Sequence, residues 1–298
     1  KKHRRAIPCR PGAESLLWCR SLHYGVSSMH TFDNTVGFIT GGAAGIGLAV
    51  ARELGRQGMS LMLVDIEPHT LEQASATLRA EGITVESQVL DVADAAAYGE
   101  AAAKTLAHFG KINFLFNNAG VASHAPAGST PLADWHWVVN VNLFGVVHGV
   151  ENFLPAMLAL DEPCWLVNTA SIAGHIAGPV MGPYNATKFA VVGYSESLKV
   201  ELADTQVGVS VLCPAWVKTG IAESRRNHHS SEERDNVEAG ESMIADVIAR
   251  EGINPEEVAK CVAQGMREGI FNLFTHPKFW PLIEARLDTI RADYQRIL

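Results

Sequence analysis

The sequence predicts an α/β fold, a doubly wound parallel sheet with helices on both faces, in a single domain. Three observations predict it. From Thr31 onward, short apolar runs alternate with longer helical stretches. The short runs are continuously apolar rather than alternating, as strands buried on both faces require. No internal repeat and no Pro/Gly/Ser-rich linker divides the 298 residues, a length that one α/β domain accommodates.

The elements follow in order. Residues 36–40 form the first strand, and a Gly-rich turn leads into a helix over about 46–57. A second strand, 61–64, ends on Asp65 and is followed by a helix over 70–80. Then come a strand at 85–90, an alanine-rich helix at 94–109, and a strand at 112–116 that runs into Asn117-Asn118-Ala119-Gly120. A long helix spans 133–153, a fifth strand 165–168, a helix 184–202, and a sixth strand 208–212. Residues 223–236 are polar and lack periodicity, and 243–248 read as a short amphipathic turn. Together, 221–252 are a candidate substrate lid, with a plain surface loop as the alternative. Asn254 as N-cap and Pro255 at the first helical position open another helix. Residues 271–274 are a candidate seventh strand, and the chain is helical from Lys278 to its end.

Residues 1–29 are read as an extension outside the fold. They are rich in Arg and Lys, carry the single acid Glu14, and contain no apolar stretch of the kind a secretory signal needs. Met29 stands where a start codon would fall, so translated upstream sequence or a cloning remnant is expected, with an organellar transit peptide as the alternative. The domain proper is then 30–298.

A net charge of −8 argues against non-specific binding to nucleic acid or to an anionic membrane. No apolar run approaches the roughly 18–20 residues that cross a bilayer. The five cysteines, Cys9, Cys19, Cys164, Cys213 and Cys261, form no CxxC pair, which disfavours a disulfide framework or a zinc site and suggests a cytoplasmic protein. The histidines, among them His124, His136, His148, His175, His228 and His229, show no metal-binding spacing, so no metal is expected.

Several positions carry chemistry. The turn Thr40-Gly41-Gly42-Ala43-Ala44-Gly45-Ile46-Gly47 lies between strand and helix, where backbone N–H groups and the helix dipole can cradle a pyrophosphate; alone, it could also be a tight turn without a ligand. Asp65, followed by Ile66, ends the second strand, where a carboxylate can accept from ribose hydroxyls and repel a 2′-phosphate. No Arg or Lys directly after it reverses that preference. Ser171 lies just past the fifth strand with no G-x-S-x-G turn around it, so a covalent nucleophile is not indicated. Tyr184 and Lys188, four apart on a helix, share a face. Asn142 is a polar residue within an apolar helix, where a hydrogen-bonded core role is the alternative.

Taken in order, residues 40–47, Asp91-Val92, Asn117-Asn118-Ala119-Gly120, Asn142, Ser171, Tyr184-x-x-x-Lys188 and the 214–220 segment resemble the short-chain dehydrogenase/reductase (SDR) family. The resemblance implies a Rossmann-type sheet of about seven strands, a homodimer or homotetramer, and hydride transfer between NAD and a secondary alcohol or ketone. NADP is less favoured because of Asp65. It implies catalytic roles for Asn142, Ser171, Tyr184 and Lys188, with Tyr184 as acid/base, Lys188 also holding the nicotinamide ribose, and Asn142 part of a proton relay. A phenol ordinarily titrates near ~10, and the Lys188 ammonium and a positive nicotinamide ring are expected to draw it down. Cofactor contacts are implied at Gly41, Ala44, Gly45, Ile46, Gly47, Asp65, Ile66, Asp91, Val92, Asn118, Ala119, Gly120, Tyr184, Lys188, Pro214, Val217 and Thr219. Ser171, His175, Met181 and Trp216 are candidate substrate contacts; Trp216 departs from the family, which carries Gly in this stretch. The 219–224 and 252–257 segments also resemble bacterial dehydrogenases of benzylic alcohols in lignin-derived aryl ethers, which implies a bulky, partly aromatic substrate. A regulator that senses the dinucleotide without catalysis is the rival reading, and the intact set at Asn142, Ser171, Tyr184 and Lys188 speaks against it.

Overall fold

The computed structural model describes residues 28–228 and 238–297, with side chains at all of these except 238–243. Residues 1–27 of the expected extension, with Cys9 and Cys19, and residues 229–237 of the expected lid lie outside the described residues. Met29, assigned above to the extension, belongs to the core: its side chain is buried and its N–H donates to the Met266 carbonyl at 2.9 Å.

Seven parallel strands form one sheet in the order β3-β2-β1-β4-β5-β6-β7. They are β1 (Val36–Thr40), β2 (Ser60–Asp65), β3 (Val85–Val89), β4 (Phe114–Asn117), β5 (Cys164–Thr169), β6 (Val207–Cys213) and β7 (Asn272–Phe274). The helices are α1 (Gly45–Gly55), α2 (Pro68–Ala80), α3 (Ala95–Phe109), α4 (Leu132–Val139), α5 (Gly145–Leu158), α6 (Gly182–Glu201), α7 (Glu238–Glu251), α8 (Pro255–Glu268) and α9 (Trp280–Gln295). Each agrees with its sequence expectation to within a few residues, except that α7 is a full helix rather than a short turn. The strand order reverses between β1 and β4, and the crevice at that point, beyond the carboxyl ends of the strands, is where such sheets bind ligands.

Neighbouring residues of a strand face opposite sides, so each strand feeds two cores. Ile39, Phe114, Phe116 and Trp165 pack with α1 and α8, while Phe38, Leu115 and Leu166 pack with α3, α5 and α6. On the second side the Phe38 and Phe153 rings lie 4.6 Å apart. Caps set the helix ends. The Asp94 carboxylate accepts from the N–H groups of Ala96 and Ala97, and Glu257 reaches back to the Asn254 N–H at 3.2 Å.

The single helix expected over 133–153 is a longer rod interrupted by a π turn at Asn140–Phe144, between α4 and α5. Asn142 sits in that turn. Its Nδ2 donates to the Val121 carbonyl at 2.9 Å and to Thr187 Oγ1 at 3.2 Å, and its Oδ1 accepts from the Val121 N–H at 2.8 Å. These lateral bonds hold one extra residue in the turn, a device common near functional sites.

Candidate active site

The Gly-rich turn is shaped by close approach. Gly41 and Gly45 have φ of +62° and +53°, the left-handed region that favours glycine. A Cβ on Gly47 would stand 2.1 Å from the Gly41 carbonyl oxygen, so this glycine lets the helix close on the turn. Thr40 ties the turn to β4, its hydroxyl accepting from the Asn118 and Ala119 N–H groups at 2.8 and 3.0 Å. Asp65 accepts from the N–H groups of Ala43 and Glu67, both at 3.1 Å, which fixes its carboxylate beside the turn. Burial raises its pKa against the lowering effect of these bonds.

One cavity of about 970 Å³ runs along the strand ends. Every residue expected to touch a cofactor lines it except Gly47, which acts from behind through the shape of the turn. Ser171, Tyr184 and Lys188 line the same cavity. The Ser171 hydroxyl accepts from the Ala173 N–H at 3.1 Å and donates to the Pro214 carbonyl at 3.2 Å. The Lys188 ammonium stands 5.5 Å from the centre of the Tyr184 ring and donates to the Thr169 carbonyl at 2.9 Å. Burial brings the Lys188 pKa down to about 8, opposed by the neighbouring Cys213 thiol.

Burial raises the Tyr184 pKa, opposed by the Ser171 hydroxyl, and the Lys188 ammonium turns toward Thr169. Asn142 does not line the cavity, because its side-chain amide is committed to Val121 and Thr187. His175 is not on the cavity wall either. Its Nε2 lies 3.3 Å from Cys213 Sγ and its ring packs against Phe274, since the 3-10 turn after Ser171 directs it toward β6 and β7. Met181 and Trp216 do line the cavity.

Within the stretch named as a candidate lid, the sequence reading missed what fastens the segment over the cavity. Residues 220–227 form a 3-10 segment fastened on both sides of the cavity. On one side Ser224 Oγ accepts from the Ala122 N–H at 2.9 Å, and Arg225 pairs with buried Asp134 at 2.8 Å. On the other, Arg226 Nη2 and Asn227 Nδ2 meet Glu67 Oε1 at 2.6 and 3.0 Å. Behind the segment, Ile244 and Ile248 of α7 pack with Ala222, Met181 and Trp216. The i, i+4 spacing of the two isoleucines was legible in the sequence; the Arg226–Glu67 pair, 159 residues apart, was not. His124, Thr169 and Asn185 also line the cavity, and each has a buried polar atom without a partner: Nε2, Oγ1 and Oδ1 respectively. Among the described residues no cluster suited to a metal ion occurs, and no helix is long and apolar enough to cross a membrane.

A glycine cradle at a helix N-terminus, an acid ending β2 and a Ser–Tyr–Lys group in one cleft define a dinucleotide-dependent oxidoreductase. The sequence profile of the family described as short chain dehydrogenase matches residues 35–230, and the chain belongs to that family. It is 33% identical over 265 residues to a C alpha-dehydrogenase of Sphingobium sp., covering 88% of this chain and 87% of that one. It is 31% identical over 274 residues to a CLA biosynthesis dehydrogenase/reductase of Lactiplantibacillus plantarum, covering 89% and 96%. A short-chain dehydrogenase/reductase from Burkholderia phymatum, solved in complex with NAD, superposes with a TM-score of 0.86 at 36% identity, covering 89% of this chain and 97% of that one.

Proposed function

We propose that this enzyme uses NAD to interconvert a bulky, partly aromatic secondary alcohol and its ketone, with Tyr184 exchanging the proton. The observation that carries the proposal is the joint placement of Ser171, Tyr184 and Lys188 in the cavity that the Gly-rich turn opens. That turn fits a dinucleotide: Gly41, Ala44, Gly45 and Ile46 line the cavity at the N-terminus of α1, and Thr169 Oγ1 is left with an unmet hydrogen-bonding capacity. A bound nicotinamide would supply the hydride acceptor, or in reverse the donor, at the carbinol carbon. The residues of the chain do the rest. Ser171 Oγ, turning its proton from the Pro214 carbonyl, donates to the substrate oxygen; Tyr184 Oη as phenolate takes the alcohol proton in oxidation, and as phenol returns it in reduction. Lys188 supplies positive charge behind the phenol and a donor for the nicotinamide ribose. Asn142 holds the 121 loop and Thr187 in register with α6. The apolar wall of Trp137, Met181, Trp216 and Ile244 suits a bulky substrate, as does the likeness to the Sphingobium C alpha-dehydrogenase. A homodimer or homotetramer belongs to the same proposal.

Asp65 supports NAD, as does Glu67 beside it on the cavity wall. NADP is the second reading, and one observation favours it: the guanidinium of Arg226 lines this end of the cavity, although Glu67 pairs with it. Parallel titrations with NADH and NADPH test the choice. Tighter binding of NADH, weakened by Asp65→Ala, supports the proposal; tighter binding of NADPH overturns the NAD assignment.

A further inference from the structure

The last helix of the chain is held to its own domain by Ile283 and by the Arg286 guanidinium, which lies 5.0 Å from the centre of the Phe189 ring and would swing from it to meet a partner. Among the described residues of α9 only Ile283 is buried, and residues 284–297 are all exposed. An isolated helix of this length is marginal in water, so a stable α9 needs a covered face. The sequence supplies one. Trp280, Ile283, Leu287, Ile290, Tyr294 and Ile297 recur at spacings of three and four, the narrow apolar seam by which two helices pack along their length. Leu287, Ile290, Tyr294 and Ile297 are 44%, 50%, 65% and 85% exposed.

We propose that this seam pairs with α9 of a second copy of the chain, in antiparallel orientation. The flanking charges choose the occupant and the orientation. Glu284 and Arg291 flank the seam on one side, Arg286 and Asp293 on the other. With the two helices antiparallel about the midpoint of Leu287 and Ile290, Glu284 faces the partner's Arg291, and Arg286 faces the partner's Asp293. Both pairs are opposite in sign, and the twofold axis repeats each of them. A parallel pair would instead set Arg286 against the partner's Arg291. In the antiparallel register Leu287 meets the partner's Ile290, and Ile283 meets the partner's Tyr294. Arg291 and Asp293 now pair with Asp288 and Arg296 of the same helix in exposed contacts, which can exchange at little cost. Phe279 and Leu282, at the start of α9, line the active-site cavity, so the pairing would brace one rim of the site.

The test is the particle mass of the full chain across a concentration series, by light scattering or sedimentation. Leu287→Asp should halve the mass while thermal unfolding and NADH binding stay as in the parent. Arg291→Glu should weaken self-association by about three- to tenfold, and Glu284→Arg with Arg291→Glu should restore it. A mass unchanged by Leu287→Asp would mean that something other than a second copy covers the seam, and overturns the proposal. Tighter association of Arg291→Glu would indicate parallel helices and overturns the orientation.

Discussion

Arg226 donates through Nε to Glu67 at 2.8 Å, which links the segment over the cavity to the residues just past β2, where the proposed function places coenzyme choice. Glu67 does two things there. It neutralises the one guanidinium among the residues lining this cavity, and it fastens the 220–227 segment over the cleft.

Glu67→Gln should therefore release Arg226 to meet a 2′-phosphate. NADPH affinity is expected to rise by about three- to tenfold, with NADH affinity changed less. Fluorescence titration of both coenzymes checks this. An unchanged NADPH affinity would mean that Asp65 alone sets the preference.

The same pair makes closure of the segment sensitive to acid. Asn227 and Arg226 lower the Glu67 pKa below its usual 4.5 against the opposing effect of burial. A carboxyl depressed in the folded state contributes stability above 4.5 and loses it as pH falls through the folded value. Hydrogen exchange of residues 220–228 should accelerate over that acid window, and in Glu67→Gln the step should vanish.

Lys188 gives the opposite limb. Burial lowers its pKa from 10.5 to about 8, so between those values the unfolded chain holds a proton that the folded chain has released. Stability should rise with pH across that window. Lys188→Met should remove the rise, as measured by denaturant unfolding over a pH series, and should lower turnover by about 10²–10⁴-fold.

Asp134 is buried and accepts from Ser123 Oγ and Arg225 Nη1, both at 2.8 Å. Asp134→Ala leaves a largely buried guanidinium without its carboxylate, and urea unfolding should show a loss of roughly 2–4 kcal/mol. Proteolysis within 220–228 should quicken in the same variant.

What the sequence revealed, and what it hid, has a physical pattern. The Gly-rich turn, Asp65 and the Tyr184–Lys188 spacing are local features, in which residues a few positions apart settle the backbone geometry. The strands were readable because burial on both faces demands apolar runs, as in β1 and β2. His175 went astray because sequence distance from Ser171 says nothing about the direction taken by the intervening 3-10 turn. The π turn depends on Asn142 bonding to Val121 and Thr187, which lie in other segments. The Arg225–Asp134 and Arg226–Glu67 pairs join segments 91 and 159 residues apart, and no spacing rule reaches that far.

The central claim is that Tyr184 transfers the proton in a coenzyme-dependent alcohol oxidation. The most direct measurement is NADH formation from NAD and a panel of benzylic secondary alcohols, by the parent enzyme and Tyr184→Phe, with NADH binding measured on both. The account predicts turnover by the parent and a loss of about 10²–10⁴-fold in Tyr184→Phe, with NADH binding retained. Parent-like turnover by Tyr184→Phe would contradict it.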